Sequence, residues 1–139
     1  MKPLLFLSLF TVFLFSCKSQ TYTLENLPQN LLVFGNGGGI TGEVKTYTLL
    51  ENGQLFYSSS LTKERMEMKR LAKKEAAAYY ERLEALKLSD VNFDHPGNMY
   101  YFLETVKGDT IHRITWGSNE HEISEEYKTL YKELRTTIK

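Results

Sequence analysis

The stretch Ile40-Thr41-Gly42-Glu43-Val44-Lys45-Thr46-Tyr47-Thr48-Leu49-Leu50-Glu51-Asn52-Gly53-Gln54-Leu55-Phe56-Tyr57-Ser58-Ser59-Ser60 decides the fold. From Ile40 onward, Ile40, Gly42, Val44, Thr46, Thr48 and Leu50 fall on one side of an extended chain. Thr41, Glu43, Lys45, Tyr47 and Leu49 fall on the other, and a period of two is that of a β-strand. Asn-Gly supplies the positive φ angles of a tight two-residue turn, so Asn52-Gly53 predicts a hairpin with Gln54 to Ser60 as the returning strand.

Upstream of this hairpin, Leu31-Leu32-Val33-Phe34 is a short apolar run ended by glycines, which predicts a buried first strand. Downstream, residues 61–70 admit two readings. Thr62 could cap a helix, but Met66 and Met68 alternate with charged neighbours as an edge strand would, and strand is the preferred assignment. Between Lys73 and Lys87, Ala76, Tyr79, Tyr80, Leu83 and Leu86 recur at intervals of three and four, the spacing of an amphipathic helix. Met99 to Val106 and Thr110 to Trp116 flank Lys107-Gly108-Asp109 and predict a second hairpin. Ser124 is placed to cap a last helix, Glu125 and Glu126 suit its positive end, and Tyr127, Leu130, Tyr131, Leu134 and Ile138 form its apolar stripe. The expected fold is α+β: an antiparallel sheet of five to six strands built from hairpins, with two amphipathic helices packed on one face. It forms a single domain over residues 30–139.

The N-terminus has a different character. Lys2 precedes the apolar run Leu4 to Phe15, followed by Ser16 and Cys17. These twelve residues would reach about 18 Å as a helix, short of the ~20 residues that a bilayer span needs, and match a secretory signal. Leu14-Phe15-Ser16-Cys17 resembles the lipobox of bacterial lipoproteins. That resemblance implies a signal peptide over residues 1–16, a lipidated Cys17 and a tether over residues 17–29. An ordinary signal cleaved near Ser19 is the alternative. Two or three acyl chains would hold the protein durably to a membrane. Lys18-Ser19-Gln20 lacks the acidic run associated with surface-exported lipoproteins, which favours the periplasmic face of an outer membrane.

Removing 16 of the 139 residues leaves 123, enough for one domain and no second. Lys2 is the only charge lost, so 17 basic and 17 acidic residues become 16 and 17. Near-neutrality without a basic, aromatic-interleaved stripe argues against nucleic acid as a partner. Cys17 is the sole cysteine, and its acylation would exclude disulfides and thiol chemistry from the domain. The nine tyrosines suggest a thin two-layer fold, because this side chain buries its ring while its hydroxyl stays wet.

Three features are candidate binding elements, each with a plainer explanation. In Gly35-Asn36-Gly37-Gly38-Gly39-Ile40-Thr41-Gly42 the glycines formally fit G-x-G-x-x-G, but a strand follows where dinucleotide binding requires a helix. The stretch is either a hairpin connection or a bare loop in which Asn36, Gly37, Gly38, Gly39 and Thr41 meet a partner's backbone. Asp94-His95-Pro96-Gly97-Asn98 is a turn by composition, with Asp94, His95 and Asn98 available for binding. Trp116 is either a core lid or a contact residue. No G-x-S-x-G elbow or comparable signature marks a catalytic set, no H-x-x-x-H or H-E-x-x-H pair marks a metal site, and no cofactor motif is present.

With its elements in order, the domain resembles emfourin, a small proteinaceous inhibitor of thermolysin-like metalloproteases. The resemblance rests on Gly38-Gly39-Ile40-Thr41-Gly42 leading into a strand, a helix with Leu83 and Leu86, paired strands around Tyr101 to Trp116, and a terminal amphipathic helix. Small Gram-negative lipoproteins of unknown role share the same Gly-Gly-x-x-Gly opening. The expected protein is therefore a monomeric, lipid-anchored, non-catalytic module that binds a protein, with inhibition of a secreted metalloprotease as one form of that role. A structural accessory subunit of a cell-envelope complex and a hydrolase with an unidentified site are the alternatives.

Overall fold

The computed structural model describes residues 20–138. The signal segment and Cys17 lie outside the described residues. The chain forms strands β1 (Asn30–Gly38), β2 (Glu43–Leu49), β3 (Leu55–Ser59) and β4 (Arg65–Glu67), helix α1 (Lys73–Ala85), strands β5 (Asp94–His95), β6 (Met99–Lys107) and β7 (Thr110–Trp116), and helix α2 (Glu125–Thr136). A short 3-10 turn, Leu88–Asp90, follows α1.

The strands form one seven-stranded sheet in the order β4-β3-β2-β1-β6-β7-β5. Every pairing is antiparallel except β5 with β7. The fold is thus α+β, with a mixed sheet of seven strands rather than an antiparallel one of five or six. β4 is the edge strand preferred for the 61–70 segment, shortened to three exposed residues, and the unexpected strand is β5. β5 is half of the Asp94-to-Asn98 turn, drawn alongside β7 by hydrogen bonds from Thr115 N to the Phe93 carbonyl (2.8 Å) and from Ser118 N to the His95 carbonyl (3.0 Å).

β1 is the central strand, and its composition departs from the expected connection. Gly35, Asn36, Gly37 and Gly38 continue the strand, in register with Thr46 to Glu43 on one side and Phe102 to Met99 on the other. Only residues 39–42 turn the chain, so the strand anticipated from Ile40 begins at Glu43. The glycines are needed on the sheet's outer face. A methyl group at Gly35 would lie 2.1 Å from the Lys45 carbonyl oxygen and 2.6 Å from the Phe102 ring, and one at Gly37 would lie 2.5 Å from the Tyr100 hydroxyl. Aromatic rings from β6 cover glycines of β1, a cross-strand pairing that restores packing where glycine offers none. The Arg113 guanidinium stands 4.2 Å from the Phe102 ring centroid and is tied to Glu104 by a 2.6 Å bond.

The inner face carries the main core. Leu32, Phe34, Tyr47, Leu49, Leu55, Leu103 and Ile114 from the sheet join Ala76 and Leu83 of α1 and Tyr127, Leu130, Tyr131 and Leu134 of α2 in one buried cluster. Tyrosine hydroxyls fasten the helices to their neighbours. The Tyr80 hydroxyl accepts from Leu32 N (3.0 Å) and donates to the Leu49 carbonyl (2.6 Å), while Tyr127 donates to the Leu86 carbonyl (2.6 Å). Arg82 of α1 also pairs with Glu133 of α2. Helix α1 stops at Ala85, short of the expected Lys87, because Lys87 takes a left-handed conformation with φ 51°. Ser124 occupies the N-cap of α2, although its side chain makes no capping bond.

The β2–β3 connection is also looser than the sequence suggested. Leu49 and Leu55 are the last paired residues, leaving five residues between them instead of a two-residue turn. Asn52 uses its side-chain oxygen to accept from Gln54 N (2.9 Å), a local bond that competes with the tight turn. The two-residue turn occurs instead at Gly108-Asp109, between paired Lys107 and Thr110. Near this end of the sheet, the fully buried Gln54 accepts from Tyr22 N and Asn52 Nδ2 (both 2.8 Å) and donates to the Tyr22 carbonyl (3.0 Å) and Glu67 (3.1 Å). The expected tether is therefore clamped to the domain from Tyr22 onward.

Gly35→Ala should destabilise the domain by about 1–3 kcal/mol, since backbone and ring cannot both withdraw from the new methyl group. Urea unfolding measures this, and an unchanged midpoint would refute the packing role of the glycine. Burial raises the phenol pKa of Tyr80, and it raises that of Tyr131 to about 12 from 10.0. The protonated form of Tyr131 therefore contributes stability that is fully present below pH 10 and is lost as pH rises through about 12. Denaturation titrations across that window should show falling stability, and Tyr131→Phe should flatten the decline.

Candidate functional site

The sheet end opposite Asn52 gathers features that lie far apart in the chain. Cross-strand pairing sets Lys45, Asn36, Tyr101, Trp116 and His95 in one row across β2, β1, β6, β7 and β5. Directly paired residues share a face, so this row lies on the inner face. Above it runs α2. Arg135 stacks 5.2 Å from the Tyr47 ring centroid and donates to Asn36 Oδ1 at 3.3 Å.

Between β6, β7 and α2 lies a cleft of 420 Å³ lined by Tyr101, Trp116, Lys128, Tyr131 and Lys132. Its three rings pack on one another. Trp116 meets Tyr131 edge to face at 5.2 Å and 88°, and Tyr101 meets Tyr131 at 5.5 Å. The body of Trp116 is buried while one side lines the cleft, so it serves as both lid and contact surface. Among the described residues, neither the Trp116 indole N–H nor the Tyr131 hydroxyl has a side-chain hydrogen bond. Since no fully buried side-chain polar atom there lacks a partner, both groups reach solvent. Burial holds the Tyr131 hydroxyl protonated well into the alkaline range. Lys128 pairs with Glu125 at 2.8 Å, whereas Lys132 makes no ion pair among the described residues.

The two loops singled out in the sequence meet at this end. Gly39 N donates to the Asn98 carbonyl at 2.8 Å, and Gly38 lies so close to that carbonyl that a methyl group would come within 2.0 Å of it. Thr41 is exposed on the turn beyond them, beside Ile40, whose side chain is fully exposed. Met99 and Tyr101 are exposed on the adjoining strand. Gly37 is set apart, since it faces the outer surface beneath Tyr100. Asp94 is exposed and pairs with Thr115, while His95 packs against Phe93 and stacks on His121 with ring centroids 3.8 Å apart.

His95 and His112 are not brought together. His112 pairs with Thr105 four residues before Trp116 on β7, about 13 Å along the strand. Among the described residues, no three His, Cys, Asp or Glu side chains converge as metal ligands. The gathered groups at the cleft are instead aromatic faces and hydrogen-bond donors: ammonium, indole N–H and phenol. Such a set offers hydrogen bonds to carbonyl and carboxylate acceptors beside an apolar surface.

Of the residues singled out in the sequence, Asn36, His95, Asn98 and Trp116 come together at this end of the sheet, whereas Tyr101, Tyr131, Lys128 and Lys132 of the cleft lining were not singled out. The spacing of Lys128 and Lys132 by four, flanking Tyr131, places them on neighbouring turns of α2 and was the available signal. If the Tyr131 hydroxyl is free as described, Tyr131→Phe should change stability at neutral pH by less than about 0.5 kcal/mol, whereas Tyr131→Ala should cost about 3–5 kcal/mol. Chemical denaturation of both variants checks this, and a large loss in the Phe variant would show that the hydroxyl is engaged. No family model and no curated protein matches the chain, so function must be read from the geometry of this end of the sheet.

Proposed function

We propose that the protein is a lipid-anchored, non-catalytic binding module on the periplasmic face of an outer membrane, which engages a protein partner with the aromatic end of its sheet. The observation that carries this reading is the opposition of two ends. Gln20, Asn52, Tyr22 and Gln54 are bonded together at one end, only three residues after Cys17. The glycine turn, the Asp94-to-Asn98 loop and the cleft occupy the other, the length of nine-residue β1 away, roughly 27 Å. An anchor at Cys17 would hold the first end near the bilayer and leave the second free. Exposed Ile40, Met99 and Tyr101 provide apolar surface there for a macromolecular contact.

One form of this role is favoured by Ile40 itself. An aliphatic side chain standing clear on a narrow glycine-flanked turn is shaped to enter a groove, as an inhibitor of a secreted metalloprotease would require. The emfourin-like order of elements supports the same form.

Mass spectrometry of the native protein should find acyl chains on Cys17 as the first residue. A photocrosslinker at Ile40 should capture one protein from intact envelopes, and the same probe at exposed Asp109 should not. A captured protease that loses activity at stoichiometric ratio would establish the inhibitor, while an integral envelope component would establish an accessory role. Absence of an acyl adduct would remove the anchor, and failure of Ile40 to capture anything would remove the binding end.

A further inference from the structure

We propose that the cleft between β6, β7 and α2 is a docking site for an acidic peptide segment of a partner protein, which lays one aliphatic side chain against Tyr101, Trp116 and Tyr131 and sets its carboxylates on Lys128 and Lys132. This rests on the reading of the chain as a binding module and supplies the chemistry of its partner.

Charge selects an acidic occupant. Lys128 and Lys132 stand one helical turn apart on the same side of α2, and Arg135 continues the positive field towards Asn36. Lys45 lies in the cross-strand row that ends on Trp116. Of the acids nearby, Glu43 bonds Ser59 and Lys45, Glu133 pairs with Arg82, and Glu125 pairs with Lys128, while Glu122 also lies close enough to act on the Lys128 charge. The Lys128–Glu125 pair is solvent-exposed and worth little, so Lys128 can exchange it for an incoming carboxylate.

The aromatic floor selects an apolar anchor. Three mutually packed rings give a rigid surface with little side-chain entropy left to lose, the arrangement that concentrates binding energy at interfaces. The Trp116 indole N–H and Tyr131 hydroxyl, neither of which has a side-chain hydrogen bond among the described residues, can meet backbone carbonyls of an extended segment. The exposed Tyr101, Met99 and Ile40 beside the cleft extend its contact surface as a protein partner would use it.

Trp116 is the only tryptophan, so its fluorescence reports the cleft directly. The full chain in detergent, titrated with an acetylated Asp-Glu-Leu-Glu-Asp peptide, should show a saturable change in Trp116 emission that weakens in high salt. Replacing the leucine by glycine, or the acids by lysines, should abolish it. Lys128→Glu with Lys132→Glu should weaken binding at least about tenfold while lowering the thermal midpoint only slightly, because Lys132 is exposed and the Lys128–Glu125 surface pair contributes little. Equal responses to the acidic and basic peptides, to free glutamate, or to phosphatidylglycerol vesicles in place of peptide would overturn the proposal. So would undiminished binding by the double variant. If the Ile40 probe still captures its partner from envelopes after the double substitution, the binding module stands and the cleft is not its site.

Discussion

The packing of Phe102 across Gly35 is the constraint on which this fold depends. Both helices lie on the inner face, so neither covers the outer one, and apolar area left open there would invite association. The lead-in segment reaches its β3–β4 side, where Arg65 bonds the Leu24 carbonyl, and around β1 the sheet seals itself. Phe102 lies over Gly35, Tyr100 over Gly37, and the Arg113 guanidinium closes over the Phe102 ring while Glu104 holds it. Rings lie this close to the backbone only where β1 has no side chain. The glycine run is therefore the outer half of the core, and its conformational freedom is used only at the turn, where Gly38 and Gly39 take φ of 101° and 74°.

A self-sealed outer face lets the helices divide the inner one. Tyr80 fastens α1 over the beginning of β1 and the end of β2, through Leu32 N and the Leu49 carbonyl. Helix α2 covers the remaining length, from Trp116 beside Lys128 to Tyr47 beneath Arg135. Each helix is thus fixed at its own end of the sheet. Because α2 alone reaches the far end, the row from Asn36 to Trp116 is covered on one side and open on the other. The cleft follows from two helices spanning a seven-stranded sheet.

Local periodicity made the strands and helices legible. Alternation across Glu43 to Leu49, the turn at Gly108-Asp109 and the spacing from Tyr127 to Leu134 each encode an element within a few residues. Gly35 to Gly38 were obscure because glycine carries no periodic signal of its own. Their strand character is imposed by Phe102 and Tyr100, some 65 residues later. β5 was obscure for the opposite reason, since two residues are too few to show a period, whereas the alternation of Met66 and Met68 pointed to the edge strand β4. Of the site, Asn36, His95, Asn98 and Trp116 stood out as isolated features. Their convergence is a matter of strand register, and register between β1 and β6 joins residues separated by about half the chain. Lys128 and Lys132 could be read from their spacing as one face of a helix, but only the placement of Tyr101 across from them makes that face part of a cleft.

The clamp at Gln54 joins this architecture to the proposed anchor. A buried amide is costly unless its donors and acceptors are met, and Gln54 meets them with two bonds to the Tyr22 backbone, one to Asn52 and one to Glu67. The chain therefore leaves the domain at a fixed point, with Arg65 adding a contact to the Leu24 carbonyl nearby. A long flexible tether would let the domain tumble and sample partners in every orientation. Fewer than five residues separate Cys17 from the clamp, so an acylated Cys17 would hold the hairpin around Asn52 against the headgroups. Trp116 would then stand off the surface by about the length of the sheet. An acidic partner segment would meet the Lys128 and Lys132 field there, beyond the Debye length of about 8 Å over which an anionic membrane surface would compete for the same charges.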